Sequence, residues 1–211
     1  MKPMQKHYEA QAAAIIRHLE KRGMKGYYCP DRASACEKAL SLLEDSSSVS
    51  WGGSVTLEEC GILTALRQSG LALVDRDSAK TLEERQRLTR EAFFADSYFM
   101  SANAITLDGQ LVNIDGNGNR VAALCFGPRR VFLIVGMNKV AANVPEAISR
   151  VHVAAAPPNA QRLELDTPCC HTGVCSNCLS QDCICAQTVI TRFSRTPGRI
   201  CVILVGESLG Y

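Results

Sequence analysis

SVSWGGSVTLEECGILTALRQSG, residues 48–70, decides the fold. Ser48 to Trp51 reads as a strand, Gly52-Gly53-Ser54 as a tight turn, and Thr56 to Gln68 as a helix with Gly70 just beyond its end. A strand that passes through a short glycine turn into a helix is the building unit of α/β proteins, and the rest of the chain repeats the alternation.

Upstream, Ala12, Ile15, Ile16 and Leu19 recur three and four apart, which predicts an amphipathic helix over 9–22 that Gly23 can end. A strand follows over 26–29. A second helix, capped by Asp31, then runs to about Glu44 with Ala35, Ala39, Leu42 and Leu43 facing inward. Downstream, a strand over 71–74, a charged helix over 82–95 and a strand over 97–100 lead into SANAITLDGQLVNIDGNGNR. There Ile105-Thr106 and Leu111 to Ile114 flank Asp108-Gly109, a hairpin dipeptide. Val121 to Cys125 fits a short helix or a strand. Val131 to Val135 is a buried strand, Pro145 to Val153 a helix, and 189–192 and 199–205 two last strands. Alternating strands and helices predict an α/β fold, with a mainly parallel, Rossmann-like sheet covered by helices on both faces. With 211 residues and no linker or repeat, one domain is expected over 1–211, carrying a Cys-rich lobe inserted at 166–186.

The formal charge of +2 and the absence of any long Lys/Arg run argue against a nucleic-acid partner. The apolar core of the first segment is too short for a signal peptide or a membrane span, so a cytoplasmic protein with no membrane partner is expected. A homo-oligomer remains open.

Three constellations carry chemistry. In the first, Gly52, Gly53, Ser54 and Thr56 stand where a strand end meets a helix start, a place suited to phosphate or carboxylate. The bland reading has Thr56 capping the helix, with Glu59 completing a capping box. Glu58 or Glu59, beside such an anion site, are candidate general bases; their alternative is a solvated helix turn. In the second, Asn103 and Arg120 belong to an Asn- and Gly-rich block suited to line a pocket at the carboxyl ends of the strands. Turn chemistry explains Asp108, Gly116 and Gly118. Asn138 and Lys139 follow the most hydrophobic strand, where Lys139 is placed to offer a cation to the same pocket or to open a loop in solvent.

The third is CCHTGVCSNCLSQDCIC, residues 169–185, with six of the chain's eleven cysteines in seventeen residues. In a reducing compartment, thiols at this density point to metal or redox chemistry more than to a disulfide framework. Cys170-x4-Cys175-x2-Cys178, followed by Cys183 or Cys185, matches the plant-type iron–sulfur order. It also satisfies a four-thiolate zinc site. Cys169 is a further candidate ligand, and a redox dithiol at Cys175 and Cys178 a third option.

Through WGGSVTLEECG, SANAITLDGQLVNIDGNGNRVAA, VGMNKV, PPNAQRLELDTPCCHTGVCSNC and the closing VILVGESLGY, the chain resembles the LUD-domain (lactate utilisation) family over nearly its whole length. The resemblance implies a fold like that of the ribose-5-phosphate isomerase, CoA-transferase and formyltetrahydrofolate cyclo-ligase superfamily, with the loop 52–56 contacting an anion. It also implies a role in lactate metabolism beside iron–sulfur oxidoreductase subunits. Three functions are therefore expected to compete. The first is an accessory redox subunit that binds a small anionic metabolite and an iron–sulfur cluster. The second is an isomerase, ligase or CoA-transferase-like enzyme acting on a phosphorylated or carboxylated metabolite. The third is a non-catalytic subunit with a structural zinc lobe.

Overall fold

The computed structural model describes residues 2–211. The unit that decides the fold is present, with one break in its helix. β2 (Ser48–Trp51) turns through Gly52 and Gly53 into α3 (Val55–Glu59), which is followed by α4 (Ile62–Arg67). The single helix expected over 56–68 is thus two, because Gly61 takes a φ of 70°. That left-handed conformation interrupts the helical hydrogen-bond ladder, and glycine adopts it without Cβ strain.

Six strands form a parallel sheet: β1 (Lys25–Cys29), β10 (Ile200–Val205), β7 (Arg130–Gly136), β4 (Ser97–Met100), β2 and β3 (Ala72–Val74), side by side in that order. Successive residues of the central strands face opposite sides, as the pleat requires. Val131, Leu133 and Val135 of β7 and Ile200, Val202 and Leu204 of β10 meet Ala12, Ile15 and Leu19 of α1 (Pro3–Lys21) and Ala123 and Leu124 of α6 (Asn119–Cys125). Phe132, Ile134, Cys201, Ile203 and Val205 meet Ala35 and Ala39 of α2 (Arg32–Ser41) and Leu57, Ile62 and Leu66 of α3 and α4. Phe99 stacks on Phe132 at 4.9 Å between ring centres. Each such side chain contributes roughly 1.5–3 kcal/mol by leaving water, so both faces are anchored along their length. The α/β class, the mainly parallel sheet and its two helical layers are as the sequence predicts.

A second sheet departs from that expectation. β8 (Val140–Ala141), β5 (Ala104–Thr106), β6 (Leu111–Asp115) and β9 (Gln187–Thr191) lie side by side, with β5–β6 and β6–β9 antiparallel. The hairpin forms at Asp108-Gly109, where Gly109 has φ 80°. Arg22 clamps it: Nε donates to the Asp108 carbonyl at 2.7 Å and Nη2 to its carboxylate at 2.6 Å. The strand expected near 189–192 therefore pairs with β6 instead of extending the parallel sheet. Ile105 and Leu111 bury against the large sheet, while Ala104 and Val112 pack under Ala147 of α7 (Val144–Arg150). Beyond α7 a π turn (Val151–Ala155) leads into α8 (Ala156–Arg162), a helix the sequence did not advertise. Pro157 and Pro158 lack the N–H that would continue the helical ladder, and they follow directly on the π turn where that ladder is already irregular.

α5 (Leu82–Glu91) buries none of its residues and stands as a wall over the carboxyl ends of the strands. The Cys-rich lobe holds one short helix, α9 (Pro168–Thr172), and then irregular chain that rejoins β9 through Ala186, whose N–H donates to the Asp115 carbonyl at 3.1 Å. Among the described residues no helix is long and apolar enough to cross a membrane.

Candidate functional site

A cleft of about 870 Å³ opens at the carboxyl ends of β2, β4 and β7, between α5 and the small sheet. This is where open α/β sheets bind ligands, because the loops that leave the strands converge there. Each of the three strands contributes a residue just beyond its end: Thr56 after β2, Ser101 after β4 and Lys139 after β7.

Lys139 is only 4% exposed. Its Nζ donates to Thr56 Oγ1 at 2.8 Å and to Ser101 Oγ at 3.0 Å. Each hydroxyl passes its own proton to a main-chain carbonyl, Thr56 to Leu209 at 3.4 Å and Ser101 to Ala102 at 3.2 Å. Burial, then the positive charges of Arg150 and Arg120, bring Lys139 from the ordinary lysine value down to about 7. Desolvation penalises the ammonium, and two neutral hydroxyls compensate only in part.

Arg120 is also buried, but its donors are committed. Nη1 donates to the Ser101 carbonyl at 3.1 Å and Asn113 Oδ1 at 2.7 Å; Nη2 donates to Asn103 Oδ1 and the Ile114 carbonyl, both at 2.9 Å. Asp115 Oδ2 lies 4.0 Å from its Nε and accepts the main-chain N–H of Arg120 and Val121, each at 3.1 Å. Arg120 and Asn103 therefore border the cleft while holding β6, α6 and the loop that follows β4 together.

In the glycine loop it is Ser54 that caps α3, accepting the Leu57 N–H at 3.4 Å. The capping role read for Thr56 falls to Ser54, and Thr56 is left free to hold Lys139. A Cβ on Gly52 would stand 3.0 Å from the Tyr98 hydroxyl and 3.3 Å from Arg120 carbons, so glycine there admits both side chains. Gly53, Ser54 and Thr56 line the cleft; Gly52 does not. Glu58 and Glu59 also lie off the cleft wall: Glu58 is exposed, and Glu59 accepts the Gly210 N–H at 2.7 Å. Asn138 ties down the same terminal segment, its Oδ1 accepting the Leu209 N–H at 3.1 Å. Glu59 and Asn138 thereby press Gly210 against the lysine. A Cβ there would fall 2.6 Å from Thr56 Oγ1 and 3.3 Å from Lys139 Nζ.

The cleft is cationic. Among the described residues Arg76, Arg85, Arg90, Arg120, Lys139 and Arg162 line it, against one acidic side chain, that of Asp115. Arg85 is partly neutralised, its Nη2 standing 2.9 Å from Asp77 Oδ1. Arg76 Nε is buried without a hydrogen-bond partner, the nearby Asp77 Oδ1 standing 3.8 Å away, and its guanidinium lies over Gly53, where a Cβ would come within 2.8 Å of Nη2. An unsatisfied buried donor costs about 1–3 kcal/mol, so an acceptor arriving in the cleft recovers that cost.

At the far wall stands the Cys-rich lobe, whose Cys185 lines the cleft. All eleven cysteines are free thiols. Burial first, then the neighbouring Cys183, Cys175 and Cys169, push the Cys185 thiol up to about 12. Cys175 Sγ lies 3.3 Å from His152 Nδ1 and accepts the Asn177 N–H at 3.4 Å. Bonds from Ser180 hold Cys178 below its ordinary value, and burial raises Cys183. Cys170 faces a separate shallow depression beside His171, whose Nε2 lies 2.9 Å from Asp166 Oδ1. Thiolates suit iron–sulfur or zinc chemistry, but among the described residues no three Cys, His, Asp or Glu side chains converge on one point as a closed cage.

A family model described as the LUD domain matches residues 12–205. The chain belongs to the LUD-domain family. No curated protein matches it in sequence. Among solved structures, this LUD domain is similar to a DUF162 family protein from Deinococcus radiodurans. The TM-score is 0.54 at 10% identity, covering 94% of this chain and 97% of that one. At that identity the likeness speaks for the fold, which the two share from end to end.

Sequence reasoning missed Arg76 and the arginine-bearing face of α5 in this LUD domain. Leu82, Arg85, Gln86, Thr89, Arg90 and Phe93 recur three and four apart and all line the cleft. That periodicity was available in the sequence, but it marks a polar stripe, which without a neighbour in view reads as a solvated helix face.

Proposed function

We propose that this LUD domain is an enzyme that binds a small anionic metabolite, a carboxylate or a phosphate, in the cleft between α5 and the small sheet, with Lys139 as its proton-transfer group. The observation that carries this reading is the pairing of an unsatisfied buried donor, Arg76 Nε, with a buried lysine that has no carboxylate among its direct hydrogen-bond partners in one cationic cleft. A group that titrates near neutrality can both give and take a proton at working pH. The volume suits a metabolite-sized ligand. The family's link to lactate utilisation supplies the proposed setting, oxidation of a small hydroxy acid beside iron–sulfur oxidoreductase subunits. Thermal-shift titration with L-lactate, pyruvate, ribose 5-phosphate and a CoA ester tests the reading. At least one should raise the melting temperature of the native protein and fail to do so in Arg76→Met. No shift with any of them overturns it.

A second reading rests on Cys185, which brings the thiol lobe to the edge of the same cleft. We propose that Cys175, Cys178, Cys183 and Cys185, with Cys169 or Cys170, hold an iron–sulfur cluster, or zinc in its place, once the irregular chain of the lobe closes around it. A bound cluster would supply one-electron transfer. Iron, sulfide and zinc analysis of anaerobically purified protein decides this. Iron with sulfide supports the cluster, zinc alone the structural lobe, and neither element overturns both.

A further inference from the structure

Lys139 is a buried group in the cleft whose hydrogen bonding stops short of completion, and the way it stops short is specific. Thr56 and Ser101 each spend their hydroxyl proton on a main-chain carbonyl, so toward Lys139 both can only accept. Two acceptors consume the two N–H bonds of a neutral amine. What remains on Nζ is one lone pair. The third tetrahedral position is not taken by the protein's own carboxylates, and Lys139 is part of the cleft wall. Gly210 presses close on this arrangement, where even a methyl group would intrude to 3.3 Å from Nζ.

We propose that Lys139 is an amine nucleophile that condenses with the carbonyl carbon of an anionic aldehyde, ketone or 2-oxo acid bound in the cleft. The proposal rests on the anion-binding reading above and names the class of substrate. The Nζ lone pair forms a C–N bond as the carbonyl π pair moves onto oxygen. The proton shed by nitrogen is balanced by the one that oxygen takes up, giving a carbinolamine. Loss of that hydroxyl with the second nitrogen proton releases one water and leaves the imine. No oxidant or reductant is needed. Arg76, whose Nη2 lies over Gly53 and whose Nε makes no hydrogen bond, is placed to hold the anionic end of the substrate. The near-neutral titration of Lys139 agrees with this, since an amine must be free of its proton to attack.

Chemical trapping tests the proposal on the native chain. The protein is incubated near neutral pH with cyanoborohydride and either pyruvate, whose anion is a carboxylate, or ribose 5-phosphate, whose anion is a phosphate. The digest is then mapped by mass. The expected result is a reduced adduct on Lys139 that forms at least about tenfold faster than on the exposed Lys2, Lys6, Lys21, Lys25 and Lys80 or on Lys38, which lies over the Tyr27 ring. The arm that gives the faster adduct assigns the carboxylate or the phosphate class. Adducts on Lys139 no faster than on the other lysines, or on the other lysines alone, overturn the proposal. If the same ligand still raises the melting temperature in that case, the anion cleft stands without the nucleophile. If trapping and thermal shift are both absent, the two readings fall together.

Discussion

Replacing Lys139 with methionine should make the protein more stable at low pH while abolishing anion binding. The buried ammonium is disfavoured because Lys139 titrates at about 7 in the folded chain against an ordinary 10.5. At about 1.4 kcal/mol per unit, the charged form costs the folded state on the order of 5 kcal/mol. A base whose folded value is depressed carries that cost in full below the folded value, and the cost is relieved as pH rises from about 7 to about 10.5. Methionine has nearly the same shape and nothing to ionise. It forfeits two hydrogen bonds to hydroxyls that keep their own acceptors, about 1 kcal/mol each. The variant should therefore gain roughly 3 kcal/mol near pH 6 and little or nothing near pH 9. Urea denaturation of both proteins across that range measures the difference, which should shrink by about 1.4 kcal/mol per pH unit above pH 7.5. Every other titrating group cancels between the two chains. A difference that stays constant with pH would refute the reasoning, because it would mean that Lys139 ionises in the folded protein as it does in the unfolded one.

Arg120→Lys should destabilise the fold by about 2–4 kcal/mol, since a point ammonium cannot serve four acceptors spread around a planar fork; a urea midpoint matching that of the native chain refutes it. Asp96 accepts the N–H and the hydroxyl of both Ser47 and Ser48, bonds that hold its carboxyl down at about 2. Asp96→Asn should therefore lose stability relative to the native chain above the ordinary value of 3.8, with the loss vanishing as pH falls through about 2; equal acid sensitivity in the two proteins counts against it. Gly210→Ala places a Cβ against Thr56 Oγ1 at a φ of 56°. It should weaken anion binding about tenfold or more by calorimetry, and unchanged affinity would show that Thr56 and Lys139 do not depend on that contact.

The parallel sheet was legible because its evidence is local. Val131 to Val135 and Ile200 to Val205 are continuous apolar runs, and Asp108-Gly109 needs no partner to announce a turn. The small sheet was not legible, since β8 has two residues and β9 finds its partner β6 more than seventy residues upstream. The helix over 56–68 was one in periodicity and two in fact because Gly61 took the left-handed conformation that sequence only permits. At the site, Lys139 could be placed after its strand from sequence, but its neighbours could not. Thr56 fitted a cap in the sequence, and only the backbone shows that Ser54, two residues earlier, had already filled it. Arg76 left no local signal, because the absence of a partner is a property of the whole assembly. In the lobe the density of thiols was plain, whereas their surroundings were not: Cys169 and Cys170 follow one another on α9 and so point in different directions.

The two buried cations of the cleft separate structure from chemistry by donor arithmetic. A guanidinium offers five N–H groups, and Arg120 has placed four on the carbonyls and amides of β6 and the loop between β4 and β5, with its fifth toward Asp115. Such a group is fixed in charge and in place, and its removal is felt by the fold. Lys139 has found two acceptors, both uncharged, and sits where its charge is expensive. A core selected for stability alone would fill that position with an apolar residue, since replacing a buried charge by a hydrophobe of like volume is often neutral or stabilising. An amine at the junction of three strand ends, with Glu59 and Asn138 pinning the terminal loop over it, costs the fold stability, and on the reading proposed above what it offers in return is a lone pair for a ligand in the cleft.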